Sequence, residues 1–169
     1  MLHAMLRFVQ SGEPPPISVI YAGVADEEYR MRGAAALAGS LRDSSTRVVA
    51  AVVAEPTELR IIRAHKGLVR ATFRVQGKAA HSSIPHLGAN AIMGAARLIA
   101  AFDDDLSSEF IGREDGLTGM PTHNVGTIQG GLQVNFVPDD CHFELDRRVL
   151  PSEQFDTVLT PYRKIAEKV

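Results

Sequence analysis

The chain has 169 residues, 45% of them apolar, and a formal net charge of −2. That supplies a core for one ordinary domain or two small ones, while no stretch is long enough to cross a membrane. The charge balance, with no basic block and no interleaved aromatic and basic residues, argues against nucleic acid as a partner. The single cysteine, Cys141, excludes an intramolecular disulfide framework and a thiolate zinc cluster.

The opening Met1 to Val9 is short and lacks a basic leader, so no signal peptide is expected and a cytoplasmic location fits. Leu2 to Val9 is expected to be a helix, followed by a turn at Pro14-Pro15-Pro16. Ile17 to Val24 and Val48 to Val53 read as buried strands, with a helix-length apolar stretch from Gly33 to Leu41 between them. Strand, helix, strand predicts a right-handed crossover joining parallel strands. Ligands of such sheets gather outside the carboxyl ends of the strands. Asp26-Glu27-Glu28 follows the first expected strand and Glu55-Pro56-Thr57 the second. The residues alone leave two readings of the acids: a solvated loop and first-turn acids of a helix, or parts of a metal-assisted hydrolytic site.

From about residue 63 the pattern changes. Leu68 to Val75 alternates apolar and polar residues, as a half-exposed strand does. Asn90 to Phe102 is expected to be an amphipathic helix, and Asp103-Asp104-Asp105 with Ser107-Ser108-Glu109 a solvated loop. No turn glycine is placed there as a calcium loop requires. Strands follow through Val125 to Ile128 and His142 to Asp146, joined by the Gly130-Gly131 region, with Cys141 as a small buried hydrophobe. A helix is expected from about Ser152, with Glu153 in its first turn, to the end. The order β-α-β-β-α predicts a ferredoxin-like α+β sandwich lacking its last strand. The chain is therefore expected to divide into a partial α/β segment, residues 1–62, and an α+β domain, residues 63–169.

Lys66-Gly67, Gly77-Lys78-Ala79-Ala80-His81-Ser82-Ser83-Ile84-Pro85 and Gly88-Ala89-Asn90-Ala91-Ile92 occur in that order. Gly126-Thr127-Ile128-Gln129-Gly130-Gly131, Asn135, Val137-Pro138-Asp139 and Asp146-Arg147-Arg148-Val149-Leu150-Pro151 follow. Together they resemble the lid-domain signature of the zinc metallopeptidase and amidohydrolase family of aminoacylase, acetylornithine deacetylase, succinyl-diaminopimelate desuccinylase and carboxypeptidase G. The resemblance runs over nearly the whole chain. It implies two divalent metal ions, zinc with cobalt or manganese as alternatives, sharing a water that they activate for attack on an amide carbonyl. It implies Glu27 as the general base, Glu28 and Glu55 as carboxylate ligands of one metal each, and Asp26 as a residue that orients its neighbours. His81 matches the histidine that reaches across a dimer and donates to the tetrahedral oxyanion. Its other reading is a surface histidine capping a turn. Asn135 and Arg148 match substrate-binding residues, Arg148 as the fork that grips a carboxylate, with Arg147 as its competitor if the register slips by one. His65, His86, His123 and His142 are left as structural or surface residues.

The departures matter as well. The family's His-x-Asp segment, its bridging aspartate and its closing histidine have no counterpart here, and the usual glycine near Arg30 is absent. One carboxylate per metal without a bridge cannot hold a dinuclear zinc site tightly. The resemblance thus implies an internal piece, the end of the catalytic domain plus most of the lid, inactive by itself and binding metal weakly. Its parent would hydrolyse N-acyl amino acids or small peptides, in the manner of a deacetylase, desuccinylase or peptidase. The alternative is a non-catalytic dimerisation module. In either case a homodimer is expected through the edge of the strand around Val125 to Ile128.

Overall fold

The computed structural model describes residues 1–14 and 16–169 and comprises two compact units, Met1–Arg60 and Ile61–Val169.

The first unit contains two helices, α1 (Leu2–Gln10) and α2 (Arg32–Asp43), neither with a buried residue. Ser44 closes α2: its hydroxyl donates to the Leu41 carbonyl at 2.9 Å and accepts from the Thr46 amide at 3.1 Å. The expected helix around Gly33 to Leu41 is thus present, and the mixed helix-and-sheet class of the chain stands. The two expected strands do not form. Ile17 to Val24 and Val48 to Val53 enter no ladder among the described residues, and Val52 and Val53 are 81% and 77% exposed. Strands of a parallel sheet are buried on both faces and draw their stability from neighbours on each side. Apolar character alone does not supply those neighbours. The expected turn at Pro14-Pro15-Pro16 includes Pro15, which lies outside the described residues.

The second unit contains the core. Strands β1 (Gly67–Gln76), β3 (Thr122–Gly130) and β5 (Asp140–Val149) form an antiparallel sheet in the order β1-β5-β3. In β5 every second residue is buried: Cys141, Phe143, Leu145, Arg147 and Val149. This is the period-two alternation of a strand with one face on a core. Helix α3 (Ala91–Phe110) covers that face with Ala91, Ala95, Leu98, Phe102, Leu106 and Phe110, spaced three and four residues apart. The Asn90 side chain caps it, accepting from the Met93 amide at 3.0 Å. Phe73 stacks on Phe143 at 5.3 Å, and Phe102 meets Phe73 and Tyr162 edge-on at 4.9 and 5.0 Å. Each such pair adds about 0.5–1.5 kcal/mol beyond area burial.

Two expectations require correction. Asp103 to Glu109 is helix, not loop, because Leu106 and Phe110 continue the buried stripe and leave the acids on the outer face. The last helix, α4 (Thr160–Ala166), begins later than Ser152. Turns occupy residues 151–159, because Glu153 is drawn inward, where it accepts from the Leu150 amide at 2.8 Å and pairs with Arg147 at 2.6 Å.

Candidate functional site

Beyond the end of β1 the chain doubles back through close backbone approaches. Gly77 donates to the Asp139 carbonyl at 2.8 Å, and Lys78 and Ala89 exchange backbone hydrogen bonds at 2.8 and 2.9 Å. A Cβ on Gly77 would lie 2.1 Å from the Ala89 oxygen, and one on Gly88 would lie 2.7 Å from the Lys78 oxygen. Both glycines are there because the backbones meet.

These contacts lead into a two-stranded ladder of β2 (Ala80–His81) with β4 (Phe136–Val137), in which His81 faces Phe136. The Ser82 amide donates to the Asn135 carbonyl at 3.0 Å. His81 and Asn135, far apart in sequence, therefore occupy one corner. His81 Nδ1 accepts from the Ser83 amide at 3.2 Å and lies 2.8 Å from the Ser83 hydroxyl. The imidazole stands edge-on to Phe136 with centroids 6.1 Å apart. Leu132 and Val134 flank Asn135 fully exposed. Apolar side chains grouped in this way mark contact surfaces.

Arg148 is elsewhere. It pairs with Leu68 at one end of the β1–β5 ladder, whereas Asp140 pairs with Gln76 at the other, which leads on to His81. Leu68 to Gln76 spans roughly 27 Å at about 3.4 Å per residue. Arg148 is exposed on the outer face, its side chain 48% exposed, with Nε donating to Asp146 Oδ1 at 2.8 Å. Arg147 points the opposite way into the core. Its guanidinium pairs with Glu153, donates to the Arg148 carbonyl and lies 4.4 Å from the Phe110 ring centroid. Of the two arginines, only Arg148 is free to meet a ligand.

The acids of the first unit are exposed. Glu27 and Glu28 occupy a turn opened by Asp26, whose carbonyl accepts from the Arg30 and Met31 amides at 3.2 and 2.6 Å. Met31 stands with φ 53° where a glycine would be at ease. A left-handed conformation of this kind costs a side chain about 1–2 kcal/mol. Glu55 is exposed ahead of Thr57, whose hydroxyl donates to the Arg60 carbonyl at 2.7 Å. Among the described residues no three His, Cys, Asp or Glu side chains gather where an ion could sit. Zinc takes four donors, so Glu28 and Glu55 do not by themselves fit a dinuclear centre.

His123 is half-buried against the core, with Nδ1 2.9 Å from the Tyr162 hydroxyl and Nε2 3.7 Å from Asp103. Burial lowers its pKa, and burial pushes that of Tyr162 up to about 12. Two residues escaped the sequence reading: Ser83, the partner of His81, and Glu153, the partner of Arg147. The serine lies two positions after the histidine, close enough for its amide to turn back onto the ring.

Residues 63–169 match the family model of the M20 peptidase dimerisation domain. The acetylornithine deacetylase of Myxococcus xanthus is 36% identical over 156 residues, covering 90% of this chain and 39% of that protein. The Pasteurella multocida acetylornithine deacetylase is 37% identical over 131 residues, covering 76% of this chain and 33% of that protein. The chain thus spans between a third and two fifths of the length of these relatives. A solved Staphylococcus aureus structure, assigned as an aminohydrolase, shares the fold with a TM-score of 0.54 at 23% identity, over 62% of this chain and 26% of that one.

Proposed function

The chain belongs to the M20 peptidase dimerisation-domain family, and on that premise we propose that it serves a metal-dependent amidohydrolase acting on an N-acyl amino acid or small peptide. In this reading residues 1–62 contribute to the catalytic domain and residues 63–169 form the lid and dimerisation domain. The observation that carries it is that the His81–Phe136 pairing and the Ser82–Asn135 backbone bond bring His81 and Asn135 to one exposed, apolar-rimmed corner. An imidazole and a carboxamide brought to one corner by the ladder and the bond beside it suit the recognition of an amide and of the oxyanion formed from it.

The roles divide by residue. Glu27 takes a proton from the attacking water and delivers it to the leaving nitrogen. His81 donates to the tetrahedral oxyanion, Asn135 binds beside it, and Arg148 grips the substrate carboxylate through its guanidinium. Glu28 and Glu55 are carboxylate donors for divalent ions, zinc by resemblance, in a centre whose other ligands are not among them. Such ions would activate water and polarise the carbonyl.

Arg148 and the strand end that leads on to His81 lie at opposite ends of the β1–β5 ladder, which supports a division of labour between copies. About 27 Å of strand exceeds what one small substrate bridges. In our reading the His81–Asn135 corner of one copy completes the site of a second copy. The β3 edge supplies the natural seam: its outer side carries unpaired backbone groups, and such edges recruit strands from other chains. Light scattering at micromolar concentration should then give twice the monomer mass, and a strictly monomeric chain at high concentration would contradict the seam.

A chimera tests the activity. This chain replaces the matching segment of the Myxococcus xanthus deacetylase, and hydrolysis of N-acetylornithine is measured. Retained turnover is expected, falling about 100- to 1000-fold in kcat with His81→Ala, as loss of one oxyanion donor predicts. Mixing His81→Ala with Glu27→Gln subunits should restore part of it. A dimeric chimera without turnover would favour the non-catalytic dimerisation module instead.

A further inference from the structure

We propose that Ser83 is the positioning residue for His81, holding Nδ1 as an acceptor so that the ring proton sits on Nε2 and faces outward. This inference rests on the reading of His81 as an oxyanion donor and says which nitrogen donates. The geometry carries it. The Ser83 amide points at Nδ1 with the nitrogens 3.2 Å apart, and the Ser83 hydroxyl lies 2.8 Å from the same atom. A backbone N–H can only donate. A proton on Nδ1 would meet that amide hydrogen head-on, whereas an unprotonated Nδ1 accepts from it, with the hydroxyl beside it as a second donor. Which nitrogen of a histidine carries the proton is set by the hydrogen bond that the other one makes.

The surrounding chain makes the arrangement rigid. The Ile84 amide donates to the His81 carbonyl at 3.0 Å, closing a turn over His81-Ser82-Ser83-Ile84. That turn aims the Ser83 amide back at the ring. On the other side, the Ser82 amide is tied to the Asn135 carbonyl and His81 is paired with Phe136. These bonds fix the backbone on either side of the ring. Nε2 is thereby presented on the same corner as Asn135.

Long-range proton–nitrogen NMR of the 169-residue chain reads the tautomer without any turnover. In the neutral ring, His81 should show a single form with Nδ1 unprotonated, whereas His3, exposed near the chain start, serves in the same spectrum as the solvent-exposed comparison. A His81 population mixed to the same extent as that of His3, or a proton on Nδ1, would overturn the assignment. In the chimera, Ser83→Ala removes the hydroxyl and keeps the amide. A loss in kcat of about three- to tenfold is expected, the worth of one ordinary hydrogen bond, with KM unchanged and recovery in Ser83→Thr. The same substitution should add nothing on top of His81→Ala, since the two act through one ring. An additive effect would make Ser83 merely structural. A single Nε2–H form combined with a fully active His81→Ala chimera would leave the positioning intact and remove the oxyanion role instead.

Discussion

Apolar runs of similar character meet opposite fates in the two units. Val48 to Val53 leaves Val52 and Val53 largely in solvent, while β5 drives Phe143 and Val149 to complete burial. Hydrophobicity does not separate them. β5 has β1 on one side, β3 on the other and α3 across one face; the segments of the first unit have no strand beside them among the described residues. A buried strand is a property of layers packed together, so the same composition gives a core in one unit and exposed chain in the other. The site follows this division. His81 stands on a ladder and Asn135 is bonded beside it, whereas Glu27, Glu28 and Glu55 stand on exposed chain.

The sharpest way to break this contrast is to truncate one side chain in each unit. Phe143→Ala should cost about 3–5 kcal/mol, the usual loss for a buried phenylalanine, and Ile20→Ala should stay within roughly 0.5 kcal/mol. Urea unfolding followed by circular dichroism measures both, and equal losses would mean that the first unit has a core of its own.

Next in size is the contrast across β5. Glu153→Ala strands the buried Arg147 guanidinium, and breaking a buried pair of this kind costs about 3–5 kcal/mol. Arg148→Ala, on the exposed face, should change stability by less than about 1 kcal/mol while weakening substrate binding in the chimera. The reverse ranking would exchange the roles of the two arginines.

The smallest effect concerns pH. Tyr162 rises from 10.0 to about 12 in the folded chain, chiefly through burial, so folding favours its neutral form. Its contribution is complete below pH 10 and lost as pH climbs toward 12. His123 shifts the other way, its pKa lowered from 6.5 by burial. Its contribution is present above pH 6.5 and lost as pH falls through the lowered value. Tyr162→Phe should flatten the alkaline limb of stability against pH and His123→Gln the acid limb. Unchanged limbs would show that the pair is not buried in solution.

Much of the second unit was legible from local pattern. Alternation placed β1, and the expected strands around Val125 to Ile128 and His142 to Asp146 fall within β3 and β5. The end of α3 was not legible, because Asp103-Asp104-Asp105 is as good a loop as it is the outer face of a helix; only Leu106 and Phe110 against the sheet decide. The β2–β4 ladder escaped for a different reason. Two residues on each side carry no periodicity, and the pairing exists only because Gly77 and Gly88 let backbones close on one another. For the site, the residue types around His81 and Arg148 could be read from their order by resemblance to a family, and the family itself is the one the match shows; the roles of those residues are proposals.

The linear sequence by itself determined which faces of the strands and of α3 would be apolar, where glycine had to stand, and which side chains could serve amide chemistry. Those are properties of residue type and spacing, which act locally. Tertiary structure alone decided that His81 and Asn135 share one corner, that Ser83 turns its amide onto Nδ1, that Arg147 is buried while Arg148 is not, and that the apolar runs of the first unit stay exposed. Each of these depends on groups distant along the chain, or on a turn whose direction is set by what packs around it, and burial exists only once a partner surface is there to exclude water.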